Sequence, residues 1–466
     1  MKSRDLTQGS IVKNIMYMSI PVMFSMVTQT LYDLVDMIWI GKISAGAMAG
    51  VTVFSSIYFL VFVLNNVIGN GSVAVLSQSF GSGNHEEARK GIANTFAFKL
   101  MAGIIASIIL YIVLEPLLGV FAKDAQTLRD ALQYGRIRVL FLPVMFSSFT
   151  VTTALRCSGD SKSPMIITMI TAGLNIVLDP IFIFETIPGI GLPGFGLGVF
   201  GAALATVIST TLSFIIAYWI MFGPKSSYSL KLTDLFTFDW NIIGRIVKIG
   251  LPQAVSGLIR NLANVIILGF VTAFGTYAIA AWGIIGRLFG LLFMPVNGLV
   301  QGGSTVVGQN IGGGRLDRAE KAGFVAGKFG FISMLAICAL AYLFTPQIIG
   351  IFNDEKEVIK LGVSGLRYGI MCMPIIAAYM GRATVFAGSG YTLPFLVAGI
   401  VSQWGVQIPL IFLFSKVLKL PFQFIPLSYL GFALCEGIVI WGFYKKGTWR
   451  KKAEEAAYQN APVPAD

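Results

Sequence analysis

Apolar stretches of about 20 residues alternate with short polar gaps along almost the whole chain. A helical run of that length matches the hydrocarbon thickness of a bilayer, because each residue advances the helix by about 1.5 Å. The runs lack the period-two alternation of an outer-membrane barrel. They predict about twelve helices, near 13–40, 50–76, 91–114, 133–156, 164–185, 198–222, 243–272, 279–306, 322–344, 364–387, 393–415 and 422–444. Several exceed the minimum span, so tilt or extension beyond the bilayer is expected. The fold class is an all-α membrane protein of about twelve transmembrane helices.

Composition agrees. The chain is 55% hydrophobic and 12% charged, with a mean hydropathy of +0.78. A soluble domain carries roughly a quarter charged residues, so this chain cannot clothe itself in polar groups. The net charge of +12 does not point to nucleic acid, because Lys and Arg gather in the gaps between apolar runs and at both ends. With a cytoplasmic N-terminus, the inside segments hold Lys2, Arg4, Lys13, Arg89, Lys90, Arg156, Lys162, Lys225, Lys231, Arg315, Arg318, Lys321 and the Lys445–Lys452 group. The outside loops hold fewer basic residues, among them Lys42, Lys123, Lys356 and Lys416. Both termini are therefore expected in the cytoplasm, in a multi-pass protein of the inner membrane. The start MKSRDLTQGSIVKN is polar, with no small-residue cleavage site after the first apolar run, so that helix should be retained. The four cysteines show no metal-ligand spacing and read as core residues.

The chain contains its own copy. LSQSFGSGNHEEARKG (76–91) resembles VGQNIGGGRLDRAEKA (307–322), with Gln78 matching Gln309 and Gly83 matching Gly314. Each pair lies 231 residues apart, as do Pro21 and Pro252, and Pro143 and Pro374. A fixed offset of this kind marks an internal duplication. Six helices separate equivalent points, so the repeats are parallel and related by an axis along the membrane normal. The expected organisation is an N-lobe at 1–222, a cytoplasmic linker at 223–242, a C-lobe at 243–445 and a disordered cytoplasmic tail at 446–466. Two six-helix lobes of this kind suit alternating access. The glycines of both repeated motifs read as tight turns between helices rather than phosphate loops, since no strand precedes them. His85 is the only histidine and sits in one of those turns, which supports neither a metal site nor a triad.

Ionisable residues within spans are functional candidates by default. In the first half they are Asp33, Asp36, Lys99 and Asp179; in the second, Arg260, Arg287, Arg382 and Glu436. The helices at 243–272, 279–306 and 364–387 hold no Asp or Glu, so the first half has the better-placed acids. At 1.5 Å per residue, Asp36 lies roughly 34 Å along its helix, Asp179 roughly 22 Å along its own, and Thr206 roughly 12 Å below the outer boundary. The first helix begins below the membrane, so all three are expected in its outer half. Asn175 precedes Asp179 by one turn, on the same face. Pro180 removes a donor to the carbonyl of Ile176. Carboxylate, amide, hydroxyl and a spare carbonyl are hard oxygen ligands that suit Na⁺, or a proton shared between two acids. Asp33 is expected to face the outer surface, Lys99 to snorkel from a helix end, and Arg260 and Glu436 remain open as a pair in the C-lobe.

QTLYDLVDMIWIG, LSQSFGSGNHEEARKG, ALRCSGDSKSP, LNIVLDPIFIF and GAALATVIS, in that order, resemble the multidrug and toxic compound extrusion (MATE) transporters. The resemblance runs from about residue 10 to 445 and is to the DinF-like branch. It implies a twelve-helix, two-lobed antiporter that exports cationic or amphiphilic organic compounds in exchange for Na⁺ or H⁺. Asp36, Asn175, Asp179 and Thr206 then match the cation or proton site, and would also be the metal ligands if Na⁺ is the coupling ion. Pro21 matches a proline associated with helix bending, and Gln29 and Tyr32 match positions near substrate or the cation network. Met26, with Met23, would supply an adaptable apolar wall. No cofactor is implied beyond the coupling ion, and the partners are small organic molecules and the bilayer, with no nucleic acid, for a monomer. The absence of acids at 243–272 and 364–387 departs from the NorM-type branch and disfavours a cation site of that kind in the C-lobe. The alternatives are a flippase for a lipid-linked saccharide and a membrane-embedded enzyme. The first would need more basic charge than the acids of the first half suggest, the second a catalytic constellation that one loop histidine does not provide.

Overall fold

The computed structural model describes residues 4–122, 124–222 and 238–459. Among them the chain is helical, with one isolated antiparallel bridge between Thr186 and Pro193. The helices are α1 (Ile11–Ile43), α2 (Ala45–Gly81), α3 (His85–Phe121), α4 (Ala125–Leu140), α5 (Leu142–Cys157), α6 (Lys162–Ile183) and α7 (Gly198–Phe222), followed by α8 (Trp240–Thr272), α9 (Thr276–Gly312), α10 (Leu316–Leu343), α11 (Thr345–Gly350), α12 (Lys356–Gly369), α13 (Met373–Arg382), α14 (Thr384–Ser389), α15 (Leu393–Gly399), α16 (Ile408–Phe412), α17 (Ser428–Lys446) and α18 (Thr448–Gln459). Among the described residues eleven spans are long and apolar enough to cross a membrane, and twelve with the bent pair α4–α5 counted as one span. The number agrees with the hydropathy pattern. The 52° bend at Phe141 was not expected of a single helix at 133–156. Pro143, in the first turn of α5, explains it: proline lacks a backbone donor and suits a helix start rather than an interior.

Contacts divide the chain into two compact units. The first comprises Arg4, Phe24–Phe80 and Asn84–Val247; the second comprises Asp5–Met23, Gly81–Gly83 and the residues from Lys248 onward. The start of α1 thus groups with the second half of the chain, and the start of α8 with the first. Of the linker expected at 223–242, residues 223–237 lie outside the described residues, and with them Lys225 and Lys231; Lys2 and Lys123 do too.

In the first unit, the crowded helix faces carry small side chains. Gly201 lets α7 approach the backbone of α6 so closely that a Cβ there would stand 2.4 Å from the Phe182 carbonyl oxygen. This substitutes for the hydrophobic drive that is missing between helices in lipid. The outward face of α3 exposes Ile104, Ile105, Ile108, Ile109 and Ile112, an apolar ridge suited to hydrocarbon. Near the start of α8, Arg245 Nη2 donates to Gln78 Oε1 at 2.7 Å.

In the second unit, the segment before α1 docks on the end of α9. Leu6 N donates to Gln309 Oε1 at 3.2 Å, and Asn310 Nδ2 and Asn14 Nδ2 donate to the Leu6 carbonyl at 3.2 and 3.0 Å. Arg315 Nη1 donates to the Thr7 carbonyl at 2.6 Å. The two repeated glutamines therefore tie down the start of a first helix in both units. Gly83 and Gly314, in the turns that follow, have φ of 73° and 69°, the left-handed conformation that makes glycine the fitting residue there.

The tail corrects the sequence reading. Residues 448–459 form α18 rather than a disordered segment, and Trp449, Ala453 and Ala456 are buried. Their spacing of four and three puts them on one helical face, which docks on the second unit. Residues 460–466 lie outside the described residues.

Candidate functional site

The close approach of α6 and α7 places three polar groups together in the first unit. Asn175 and Asp179 stand one turn apart on α6, both essentially without exposure, and Thr206 lies buried on α7. With its amide oriented to satisfy both neighbours, Asn175 donates to Asp179 Oδ2 at 2.9 Å and accepts from the Thr206 backbone N–H at 3.2 Å. The Thr206 hydroxyl donates to the Ala202 carbonyl at 3.1 Å. Pro180 sits inside α6 next to Asp179, so the Ile176 carbonyl lacks its helical donor.

Asp36 on α1 completes the group. It is 7% exposed, and among the described residues its buried Oδ1 has no hydrogen-bond partner. Its charge acts on Asp179, so the two acids share one electrostatic environment. Tyr32, one turn earlier, interacts through its hydroxyl with the Thr206 side chain. Asp36, Asn175, Asp179, Thr206 and Tyr32 are therefore brought together. Two carboxylates, an amide and a hydroxyl form an oxygen-rich set of the kind that binds a hard monovalent cation.

Other candidates lie elsewhere. Gln29 Nε2 donates to Asp33 Oδ1 at 3.1 Å, and both residues are exposed on α1, so Gln29 does not reach the acids. Met23 packs in the second unit, where a Cβ on Gly298 would meet its Cγ at 2.3 Å; it is a packing residue. Met26 is half-buried. Pro21 lies inside α1, two residues before the point at which that helix passes from one unit to the other.

Two cations of the first unit were not read correctly from the sequence. Lys99 does not snorkel: it is 1% exposed and among the largest fully buried side chains. Its place well inside α3, too far from the helix end for the amine to reach water, is the physical reason. Arg138 was missed altogether, although it lies within the span read at 133–156. It occupies the last turn of α4, where the carbonyl end of the helix favours a cation. Asp124 caps the other end of α4, accepting from the Thr127 backbone N–H at 2.8 Å, a bond that holds its carboxyl below the usual range. Arg138 Nη1 donates to the Tyr134 hydroxyl at 3.3 Å, and the guanidinium lies 5.2 Å from the Tyr58 ring centre and 5.5 Å from that of Tyr134. Its charge reaches Asp36 and Tyr32. The buried charge of the first half is thus not purely acidic, which weakens the charge argument against a flippase.

Beside Arg138 is a cavity of about 20 Å³, lined by Tyr58, Met145, Thr206, Thr210 and Thr211 among others. That is room for one water molecule.

The second unit treats its charge differently. Both Arg260 Nη atoms donate to Glu436, Nη1 at 3.4 Å, and the Tyr379 hydroxyl donates to Glu436 Oε2 at 2.8 Å. Glu436 is 1% exposed, and the Arg260 side chain 31%. The pair left open by the sequence is a closed ion pair.

Comparisons with known proteins bear on the family and the fold. The MatE family model matches residues 21–181 and again 252–413. The two matches begin at Pro21 and Pro252, the prolines related by the internal repeat. A probable multidrug resistance protein of Bacillus subtilis, YoeA, is 26% identical over 96% of this chain and 96% of its own. A FAD transporter of Shewanella oneidensis is 25% identical over 83% and 84%. The structure of a multidrug resistance MATE transporter of the MOP superfamily, in an outward-facing conformation, superposes with a TM-score of 0.85 at 25% identity, covering 97% of this chain and 99% of that one.

Proposed function

The chain belongs to the MatE family, and on that premise we propose that it is an antiporter that exports cationic or amphiphilic organic compounds in exchange for Na⁺ or H⁺ held at Asp36 and Asp179. The family is one of transporters, so the reading as a membrane-embedded enzyme is set aside. The protein is a multi-pass membrane protein; we place it in the inner membrane as a monomer, with both termini cytoplasmic on the basic residues of its inside loops.

The observation that carries the proposal is the buried acid pair with an unpartnered oxygen on Asp36. A buried carboxylate oxygen without a partner is costly, and such exceptions in native proteins call for an explanation. A mobile cation supplies one. Two ionised acids and the Arg138 guanidinium leave one net negative charge; one Na⁺ or one proton brings the group to neutrality. Na⁺ would be held by Asp36, Asp179, Asn175 and Thr206, and a proton by one acid of the pair. Exchange requires that ion and substrate bind two states of the protein with different affinities. Neutralising the acids changes the interactions of α1, which carries Asp36 and Tyr32. Pro21 weakens the backbone ladder of that helix and gives it a place to bend.

The test is efflux of an organic cation from proteoliposomes under a Na⁺ gradient alone and under a pH gradient alone. One of the two gradients should drive efflux in the wild type, and neither in Asp179→Asn. Equal rates in wild type and variant would remove Asp179 from the mechanism.

A further inference from the structure

The guanidinium of Arg138 has no carboxylate for an immediate partner. Its contacts are two phenols: a hydrogen bond to Tyr134 and the faces of Tyr58 and Tyr134. Among the described residues it belongs to no ion pair. A guanidinium offers five N–H donors in a fixed fork that matches a carboxylate, and the phenols leave most of that fork unused. Permanent charge at membrane depth is expensive and marks a functional site by default.

The surroundings favour an anion. The cavity beside Arg138 holds one water-sized group and is lined in part by Thr206, Thr210 and Thr211, of which Thr206 already donates its hydroxyl to the Ala202 carbonyl. Among the described residues the Thr211 Oγ1 atom has no hydrogen-bond partner; it is buried behind the cavity rather than open to it. The carbonyl end of α4 offsets part of the guanidinium charge but offers an anion no donor. Asp36 acts on Arg138 through space, and Thr206, whose backbone N–H meets Asn175 beside Asp179, also lines the cavity. One compound could therefore meet both fields, with its positive end toward Asp36 and Asp179 and its negative end toward Arg138.

We propose that Arg138, with the threonine-lined cavity beside it, is an anchor for a carboxylate on the transported compound, so that the protein favours zwitterionic amphiphiles over plain organic cations. The inference rests on the first-unit chamber being open to substrate, as the antiport reading has it. The cavity volume fits one carboxylate oxygen in place of a water. Tyr58 and Tyr134 would hold the guanidinium in plane, and their faces would keep it charged and aimed without neutralising it.

The matched probes are rhodamine 110, which carries a free carboxylate, and its methyl ester, rhodamine 123. They differ by one methyl group that removes the negative charge. Equilibrium binding to the purified full-length protein, read by fluorescence polarisation, needs no gradient and so does not depend on ion coupling. The wild type should bind the free acid more tightly than the ester. In Arg138→Gln that preference should fall by about tenfold or more, the size of a lost charge-assisted hydrogen bond. Arg138→Lys, which keeps the charge without the fork, should recover part of it. A melting temperature for each variant separates this from loss of fold. The same acid-to-ester ratio in wild type and Arg138→Gln would overturn the proposal, as would a wild type that prefers the ester. Failure of the antiport reading shows differently, as undiminished gradient-driven efflux in Asp179→Asn.

Discussion

The two units descend from one repeat and use buried charge in opposite ways. In the first, Asp36 and Asp179 face one another's fields, with an orphaned oxygen on Asp36. In the second, Glu436 is closed by Arg260 and Tyr379. Neither pair has a charged counterpart in the repeat. At the offset of 231, Asp36 aligns with Ile267 and Arg260 with Gln29; beyond Pro164, which aligns with Pro394, the offset is 230, so Asp179 aligns with Pro409 and Glu436 with Thr206. A carboxylate held by a tethered guanidinium has little to gain from a mobile cation. A carboxylate with a free oxygen has a site to offer. On the proposed reading, ion exchange belongs to the first unit and fixed architecture to the second.

The sharpest way to break that comparison is to neutralise one acid. Asp179→Asn should reach the membrane folded and lose ion-driven efflux by about a hundredfold or more, a barrier change of about 3 kcal/mol. Initial rates in proteoliposomes check this, and a rate near that of wild type would leave the two units indistinguishable.

The second unit should respond in stability. Arg260→Met strands a Glu436 that cannot reach water and should cost about 3 kcal/mol. Glu436→Leu strands an Arg260 that is 31% exposed along its side chain, and should cost less. The double variant should regain most of the loss, because an apolar pair replaces both charges. Melting temperatures in detergent decide it; equal losses for the two single variants would contradict the burial argument.

Gly201→Ala tests the helix contact that assembles the first-unit site. The added Cβ meets the Phe182 carbonyl oxygen at 2.4 Å, so α7 must shift, at about 2 kcal/mol by the usual cost of overpacking. Ion-driven efflux should fall with it, since Thr206 rides on α7. A wild-type melting temperature would show that the contact relaxes freely.

Pro21→Ala should have the smallest effect. Restoring the backbone donor stiffens α1, and coupling should weaken by about severalfold with the fold intact. Unchanged exchange stoichiometry and rate would argue against a bend there.

Much of this was legible in the sequence because lipid imposes simple rules. Apolar runs announced the spans, the 231-residue offset announced the duplication, and acids inside apolar runs announced Asp36 and Asp179. What escaped has physical reasons. The α4–α5 bend depends on one proline in a run that otherwise reads as continuous. Helix α18 is polar by composition, and only the spacing of Trp449, Ala453 and Ala456 betrays its buried face. Arg138 lies near enough to a helix end to pass for an interfacial charge, and its inward direction depends on Tyr58 and Tyr134, which come from different parts of the chain. The Arg260–Glu436 pairing spans 176 residues, a distance that sequence spacing does not encode.

The central claim is that the acids of the first unit hold the coupling cation. Its most direct test is to add an organic cation to purified protein and measure the Na⁺ or protons displaced, in wild type and in the Asp36→Asn/Asp179→Asn double variant. The account predicts about one cation released per substrate bound by the wild type, and none by the variant. Undiminished release from the double variant would contradict it.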